Sequence, residues 1–179
     1  YQEAGFEVSD NVSDCDVFIG VKEVPVEHLI PNKKYFFFFF SHTIKKQPYN
    51  RKLLKAILDK NIALYDHETI VNAKGFRLIG FGRYAGIVGT YNGFRAWGLK
   101  YDAFNLPKAE TLHDQKKLIT VLNTLELPNI KILLTGSGKV ANGAQEMLEG
   151  MHLKSVSVED YLHKTFSEPV YCKIDVLDY

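Results

Sequence analysis

The chain has 179 residues, 46% hydrophobic and 24% charged, with a formal net charge of +1. That balance excludes a disordered chain and gives no basic field to attract nucleic acid. Two cysteines, Cys15 and Cys172, are too few for a disulfide framework or a four-thiolate zinc site. No apolar run approaches the ~20 residues of a membrane span, so a reducing, cytoplasmic setting without a membrane partner is the simplest expectation.

Tyr1-Gln-Glu-Ala-Gly5 reads as the last turn of a helix closed by a cap glycine. At the other end, Tyr171 to Tyr179 alternates like a strand up to its last residue, so the expectation is a fragment of a longer protein. Phe6-Glu-Val8 is a short strand candidate. Asp16-Val-Phe-Ile-Gly20 is a second, followed by Val21-Lys-Glu-Val-Pro25. Tyr35 to Phe40 is apolar on both faces, as in a parallel strand covered by helices. Asn50 to Lys60 sets Leu53, Leu54, Ile57 and Leu58 on one helical stripe. Asn61 to Tyr65 reads as a strand, and Phe76 to Gly80 is a candidate for another. Strands alternating with helices predict an α/β fold with parallel sheets.

Phe81 to Lys100 reads as one long helix with glycines at 82, 86, 89 and 93 on a single face. Each glycine costs a helix roughly 1 kcal/mol against alanine, so a stripe of them calls for another backbone close by. The helix is either the connector between two lobes or a tightly packed member of one. Arg83, Arg95 and Lys100 exclude a membrane GxxxG helix. Tyr101 to Lys108 reads as a linker, and His113 to Leu125 as an amphipathic helix stopped by Pro128.

Ile130 to Thr135 is a strand candidate, Gly136-Ser137-Gly138-Lys139-Val140-Ala141 follows, and Asn142 to Leu148 is helical. This is G-x-G-x-x-A between strand and helix, the context that gives the dinucleotide motif its meaning. Gly136 permits the tight turn, Gly138 lets a diphosphate approach the backbone, and Ala141 keeps the helix close to the strand. The free N–H groups of the helix start attract phosphate, and Lys139 adds charge. Ser155 to Val158 reads as the next strand. Glu159 lies 23 residues past Gly136, near the spacing of an acid on the adenosine ribose. The alternative for Glu159 is the first turn of a helix through Tyr161 and Leu162.

Two further polar clusters follow strands, where α/β sheets carry their sites. Lys22 and Glu23 follow one, and His42, Lys45 and Lys46 follow the phenylalanine run. A lysine beside other cations loses its proton more readily and serves as a base, and a histidine titrates near neutrality. Tyr65-Asp66-His67-Glu68 adds Glu68 at the end of a third strand. A metal at His42, Asp66, His67 and Glu68 lacks any recognised ligand spacing, so no metal is expected. The absence of a G-x-S-x-G elbow argues against a serine hydrolase.

Gly20-Val-Lys-Glu-Val-Pro25, Phe40-Ser-His-Thr-Ile-Lys45-Lys-Gln47, Ile62-Ala-Leu-Tyr-Asp-His-Glu68, Phe81-Gly-Arg-Tyr-Ala-Gly86 and Thr135-Gly-Ser-Gly-Lys-Val-Ala-Asn-Gly-Ala-Gln145 occur in that order. Together they resemble the lysine-forming saccharopine dehydrogenases and the lysine–ketoglutarate reductase half of aminoadipic semialdehyde synthase. Both lie in the alanine dehydrogenase and transhydrogenase superfamily. The resemblance implies two Rossmann-like lobes with a site in the cleft between them. Residues 1–82 would be the substrate lobe, 83–100 the inter-lobe helix and 101–179 the coenzyme lobe, with both lobes incomplete.

The implied reaction converts saccharopine, NAD(P)+ and water reversibly into lysine, 2-oxoglutarate and NAD(P)H. NAD or NADP is the implied cofactor, and an amino or oxo acid the implied small-molecule partner. An alanine dehydrogenase-like activity and a non-catalytic NAD(H)-binding module are the alternatives. Carried over residue by residue, Lys22 resembles the family's catalytic lysine and His42 its catalytic histidine. Glu23, Lys45, Glu68 and Arg77 match positions that bind substrate or tune those groups. Gly136, Ser137, Gly138, Lys139, Val140 and Glu159 would hold the cofactor. The family's N-terminal strands and the later half of its coenzyme lobe have no counterpart here. Their absence would bare apolar sheet edges for the rest of the chain or a partner, a homo-oligomer among them, to cover.

Overall fold

The computed structural model describes residues 1–39 and 48–178. It divides the chain into two compact units, Tyr1–Gly80 and Phe81–Tyr179. The α/β class and the parallel sheets are both borne out.

In the first unit, strands β1 (Val17–Lys22), β2 (Lys34–Phe38) and β3 (Ala63–Asp66) form a parallel sheet in that order. Parallel neighbours need a crossover, and helix α1 (Pro48–Asp59) lies between β2 and β3 in the chain. Between β1 and β2 the chain makes a 3-10 turn, Val26–His28. Lys60 Nζ pins that turn by donating to the carbonyls of Val26 at 3.2 Å and Leu29 at 2.6 Å.

Alternation along β2 sends Tyr35, Phe37 and then Phe39 into a core with Leu29, Leu53 and Ile57. Phe36 instead stacks on Tyr65 of β3, ring centroids 4.4 Å apart. The phenylalanine run therefore serves two faces. Leu58 departs from the expected stripe of α1 and stands exposed. β1 lies at the edge of the sheet with Val17, Ile19 and Val21 exposed.

Two expected strands are absent. Phe6-Glu-Val8 runs exposed and irregular after a 3-10 turn, Gln2–Ala4, that closes on Gly5 at φ 83°. Phe76 to Gly80 makes only a single antiparallel bridge, Val71 to Arg77. Asn72 explains it: its Oδ1 accepts from the N–H groups of Lys74 and Phe76, and Gly75 takes φ 80°, which closes a tight turn.

The second unit contains α2 (Gly82–Lys100), α3 (Gln115–Leu122), β4 (Lys131–Thr135), α4 (Lys139–Gly150), β5 (Lys154–Ser155), α5 (Val158–His163) and β6 (Val170–Ile174). Its sheet is parallel in the order β4-β6-β5. Ile87, Tyr91, Phe94, Leu118, Leu122, Met147, Leu148 and Tyr171 form its core. The glycine stripe of α2 meets α4. A Cβ on Gly86 would stand 1.9 Å from the Val140 carbonyl oxygen, and one on Gly143 would stand 2.0 Å from that of Arg83. Gly89 and Gly93 meet nothing within 4 Å and line an apolar groove of about 360 Å³ with Trp97 and Leu133.

The strand expected over 155–158 shrinks to Lys154–Ser155, because Ser157 accepts from the Asp160 N–H and caps α5. The C-terminal strand ends at Ile174 and gives way to a 3-10 turn, Val176–Asp178. Among the described residues, no helix is long and apolar enough to cross a membrane.

Candidate functional site

Register brings the carboxyl ends of β1, β2 and β3 to one edge of the first sheet. Lys22 pairs with Phe38, and Phe37 with Asp66. Lys22 ends β1, after a register irregularity between Ile19 and Lys22, and stands exposed. Glu23 follows it, half-buried. Tyr49, in the first turn of α1, faces this corner. Burial raises its phenol pKa, and the carboxylates of Glu23 and Glu27 raise it further.

At the end of β3, Asp66 is buried. Its Oδ1 accepts from the Phe39 N–H at 3.1 Å and the Glu68 N–H at 2.9 Å, tying the end of β2 to Glu68. Its backbone carbonyl accepts from the Thr69 hydroxyl and N–H, both at 2.9 Å. Asp66 Oδ2 and His67 Nδ1 are buried with no hydrogen-bond partner among the described residues. The His67 ring stands edge-on to Phe38, with centroids 5.0 Å apart. Arg77 Nη1 donates to Glu68 Oε1 at 2.6 Å, so two site candidates nine residues apart form an ion pair. The Glu68 side chain is 10% exposed and the guanidinium side 54%. The edge can therefore offer a lysine amine, a half-buried carboxylate and a fixed carboxylate–guanidinium pair to an amino or oxo acid. His42 and Lys45 lie outside the described residues.

The glycine turn of the second unit has the local geometry its motif requires. Gly136 adopts φ 96°, which disfavours a side chain, and its N–H donates to the Ile174 carbonyl at 2.7 Å. Gly138 caps α4 without a side-chain hydrogen bond, and a Cβ there would meet nothing within 4 Å. Ala141 is buried. Ser137, Gly138, Lys139 and Val140 are exposed around the start of α4. A helix start whose N-cap is a glycine, with open space over Gly138, fits the diphosphate of a dinucleotide. Glu159 sits exposed in the first turn of α5, with Oε1 3.7 Å from His163 Nε2.

Three groups escape a reading by motif. Tyr49 lies outside every polar cluster in the sequence. Asp66 sits inside one, but its role shows only through its two backbone donors. Asp175 follows β6, and a hydrogen bond from Ser137, joined by one from the Val176 N–H, holds its carboxyl below the usual carboxylate range. The only advance signal for Asp175 is an acid after a strand.

No protein-family model matches the chain. It is 31% identical over 167 residues to an alpha-aminoadipic semialdehyde synthase of Arabidopsis thaliana, covering 83% of this chain and 16% of that protein. It is 30% identical over 192 aligned positions to the mitochondrial alpha-aminoadipic semialdehyde synthase of Bos taurus, covering 93% and 20%. The chain thus spans a fifth or less of the length of these relatives. A saccharopine dehydrogenase [NAD(+), L-lysine-forming] of Candida glabrata is 29% identical over 153 residues, covering 79% of this chain and 41% of its own. Among solved structures, an L-alanine dehydrogenase superposes with a TM-score of 0.52 at 14% identity, covering 96% of this chain and 47% of that one. The resemblance read from the motifs is borne out by these relatives, and the fold is of the alanine dehydrogenase type.

Proposed function

We propose, from this kinship, that the protein is an NAD(P)-dependent oxidoreductase acting on the CH–NH group of a secondary amine. Its reaction would be saccharopine, NAD(P)+ and water to lysine, 2-oxoglutarate and NAD(P)H, reversibly. Residues 1–82 would form the substrate lobe, 83–100 the inter-lobe helix and 101–179 the coenzyme lobe. The observation that carries the reading is the shared edge of the first sheet, where Lys22 and Glu23 end β1 and the Glu68–Arg77 pair follows β3.

The nicotinamide, when bound, accepts a hydride from the carbon beside the amine nitrogen. The glycine-capped start of α4 around Gly136, Ser137, Gly138, Lys139 and Val140 would hold its diphosphate. Lys22 would act as the general base that strips the proton from the substrate ammonium. The resulting imine must take up water, and the carbinolamine must then break its C–N bond. His42 would move the proton at those two stages. Glu23 would tune these groups, Lys45 would pair with a substrate carboxylate, and Arg77, anchored by Glu68, would hold a further carboxylate. The two unpaired cysteines suit the cytoplasm as compartment, although the Bos taurus relative is named mitochondrial.

Steady-state turnover of saccharopine by the intact protein tests the reading, with NAD and NADP in turn. Lys22→Met should lower kcat at least ~100-fold while leaving the dissociation constant for NAD(P)H unchanged. Wild-type protein inert with both cofactors would defeat the reading, and a Lys22→Met enzyme of normal rate would remove the lysine from the chemistry.

A further inference from the structure

We propose that Lys173 supplies the dinucleotide site with a fixed positive charge, held beneath the first turns of α4, which strengthens binding of the diphosphate of NAD and NADP alike. The inference rests on the dinucleotide reading above and concerns a residue inside a strand, which no motif spacing singles out.

Lys173 lies in β6, opposite Leu134 of β4. Side chains alternate along a strand, so Lys173 shares a face with Tyr171, which is buried in one cluster with Met147 and Leu148 of α4. A half-buried lysine on that face needs acceptors. It has two: Nζ donates to Asn142 Oδ1 and to Gln145 Oε1, both at 2.9 Å, one turn apart on α4. Both acceptors are neutral amides. No carboxylate among the described residues bonds to Nζ, so the ammonium keeps its charge instead of cancelling it in an ion pair.

That charge stands close under the glycine turn. Helix α4 starts at Lys139 with Gly138 as its cap, so Asn142 lies about 4.5 Å along the axis from the first helical residue. The field of Lys173 reaches the turn itself. Asp175 is hydrogen-bonded by Ser137 of the turn, which is the main reason its carboxyl is held low; the Val176 N–H adds to this, and the charge of Lys173 contributes after both. An anion seated on the turn therefore already feels this ammonium.

The corner also calls for a cation. Asp175 and Asp178 place two carboxylates just past β6, tied together by the Asp175 N–H, which donates to Asp178 Oδ2 at 2.6 Å. Two negative charges beside the turn oppose the approach of a diphosphate. Lys139 is exposed, so water and salt screen its charge. Lys173 is half-buried and already pinned, so it is screened less, and ligand binding costs it no rotamer freedom. With its donors committed to the two amides, it acts through its field and not by contact.

The test is a binding measurement, which needs no turnover. ADP and adenosine differ by the diphosphate alone, and both are titrated into the intact protein by calorimetry. NADH and NADPH are titrated by nicotinamide fluorescence. Lys173→Gln keeps a donor for the two amides but removes the charge. It should raise the dissociation constants of ADP, NADH and NADPH each about 10-fold and leave that of adenosine as it was. Lys173→Arg keeps the charge and should retain most of the ADP affinity. Gln145→Leu removes one acceptor and keeps the ammonium, so ADP affinity should hold there too. ADP affinity untouched in Lys173→Gln, adenosine weakened as much as ADP, or an equal loss in Lys173→Arg or Gln145→Leu would each overturn the assignment while leaving the dinucleotide reading intact. Adenosine weakened alongside ADP would reduce Lys173 to a brace between β6 and α4. A wild type that binds neither NADH nor NADPH would overturn both.

Discussion

At the carboxyl edge of the β1-β2-β3 sheet the polar groups are side chains, Lys22, Glu23, Asp66 and Glu68. At the same edge of the β4-β6-β5 sheet they are chiefly backbone amides around Gly136 and Gly138. Both sheets are three-stranded and parallel, so the difference lies in what holds each edge in place. In the first, the buried Asp66 carboxylate gathers the N–H groups of Phe39 and Glu68. In the second, α2 and α4 cross so closely that each needs a glycine where it meets the other's backbone. A site of side chains is best damaged by taking away a carboxylate. A site of backbone is best damaged by adding a methyl group.

The largest effect on stability is expected from that methyl group. In Gly143→Ala the new Cβ would lie 2.0 Å from the Arg83 carbonyl oxygen and 2.8 Å from its carbon, atoms that move only if α2 moves. Overpacking of this kind costs about 3 kcal/mol. Urea unfolding should register that loss, and NADH affinity should fall with it, because the start of α4 shifts. Gly93→Ala, on the glycine stripe of α2, meets nothing within 4 Å and should instead stabilise by up to ~1 kcal/mol through helix propensity. Equal losses in the two variants would show that glycine on these two helices serves something other than a close crossing.

Next in size is Asp66→Ala. It strands two N–H groups that are buried or half-buried, at a cost of about 2 kcal/mol, and frees Glu68 from its register. Saccharopine turnover should drop, while NADH affinity, which the proposed function assigns to the other sheet, should stay put. Asp66→Asn retains an acceptor for both donors and should recover most of the stability. A drop in NADH affinity with Asp66→Ala would break the separation of roles between the two edges.

Legibility in the sequence followed the distance over which each feature is determined. The Gly136 turn, α2 and the strands β2, β4 and β6 are encoded locally, in glycine placement and apolar runs, and the sequence reading finds them within a few residues. Lys22, Glu23 and Glu68 are recognisable as site candidates because polar residues cluster after strands, whereas Arg77 is reached only through the family resemblance. That Glu68 and Arg77 pair with each other depends on the turn closed by Asn72 and Gly75, just before the Phe76 to Gly80 segment that reads as a strand. Phe6-Glu-Val8 alternates correctly but finds no partner, and a lone strand does not form. The order β4-β6-β5 is further from reach, since it depends on which of two segments docks beside β4. The spacing rule that points to Glu159 assumes that the next strand in sequence is also the next in space.

The smallest expected effect concerns the surface clamp over the α2–α4 crossing. Arg83 Nε donates to both oxygens of Glu146, at 2.8 and 3.0 Å, and Nη2 reaches Glu146 Oε2 at 2.5 Å and Gln115 Oε1 at 3.1 Å. These bonds join α2, α4 and α3. The hydrogen bond from Arg83, followed by that from Gln115, lowers the Glu146 pKa against the opposing effect of desolvation. A carboxyl whose folded pKa lies below its unfolded one contributes stability that is fully present above the unfolded value, about 4.3 for glutamate, and is lost as pH falls through the folded value. The two side chains are 46% and 36% exposed, so solvent screens the pair. Glu146→Gln should therefore lower Tm by only about 2 °C at neutral pH. The gap should narrow in high salt and close once the pH falls below the folded pKa of Glu146. A gap that persists in acid would assign the clamp to packing rather than charge.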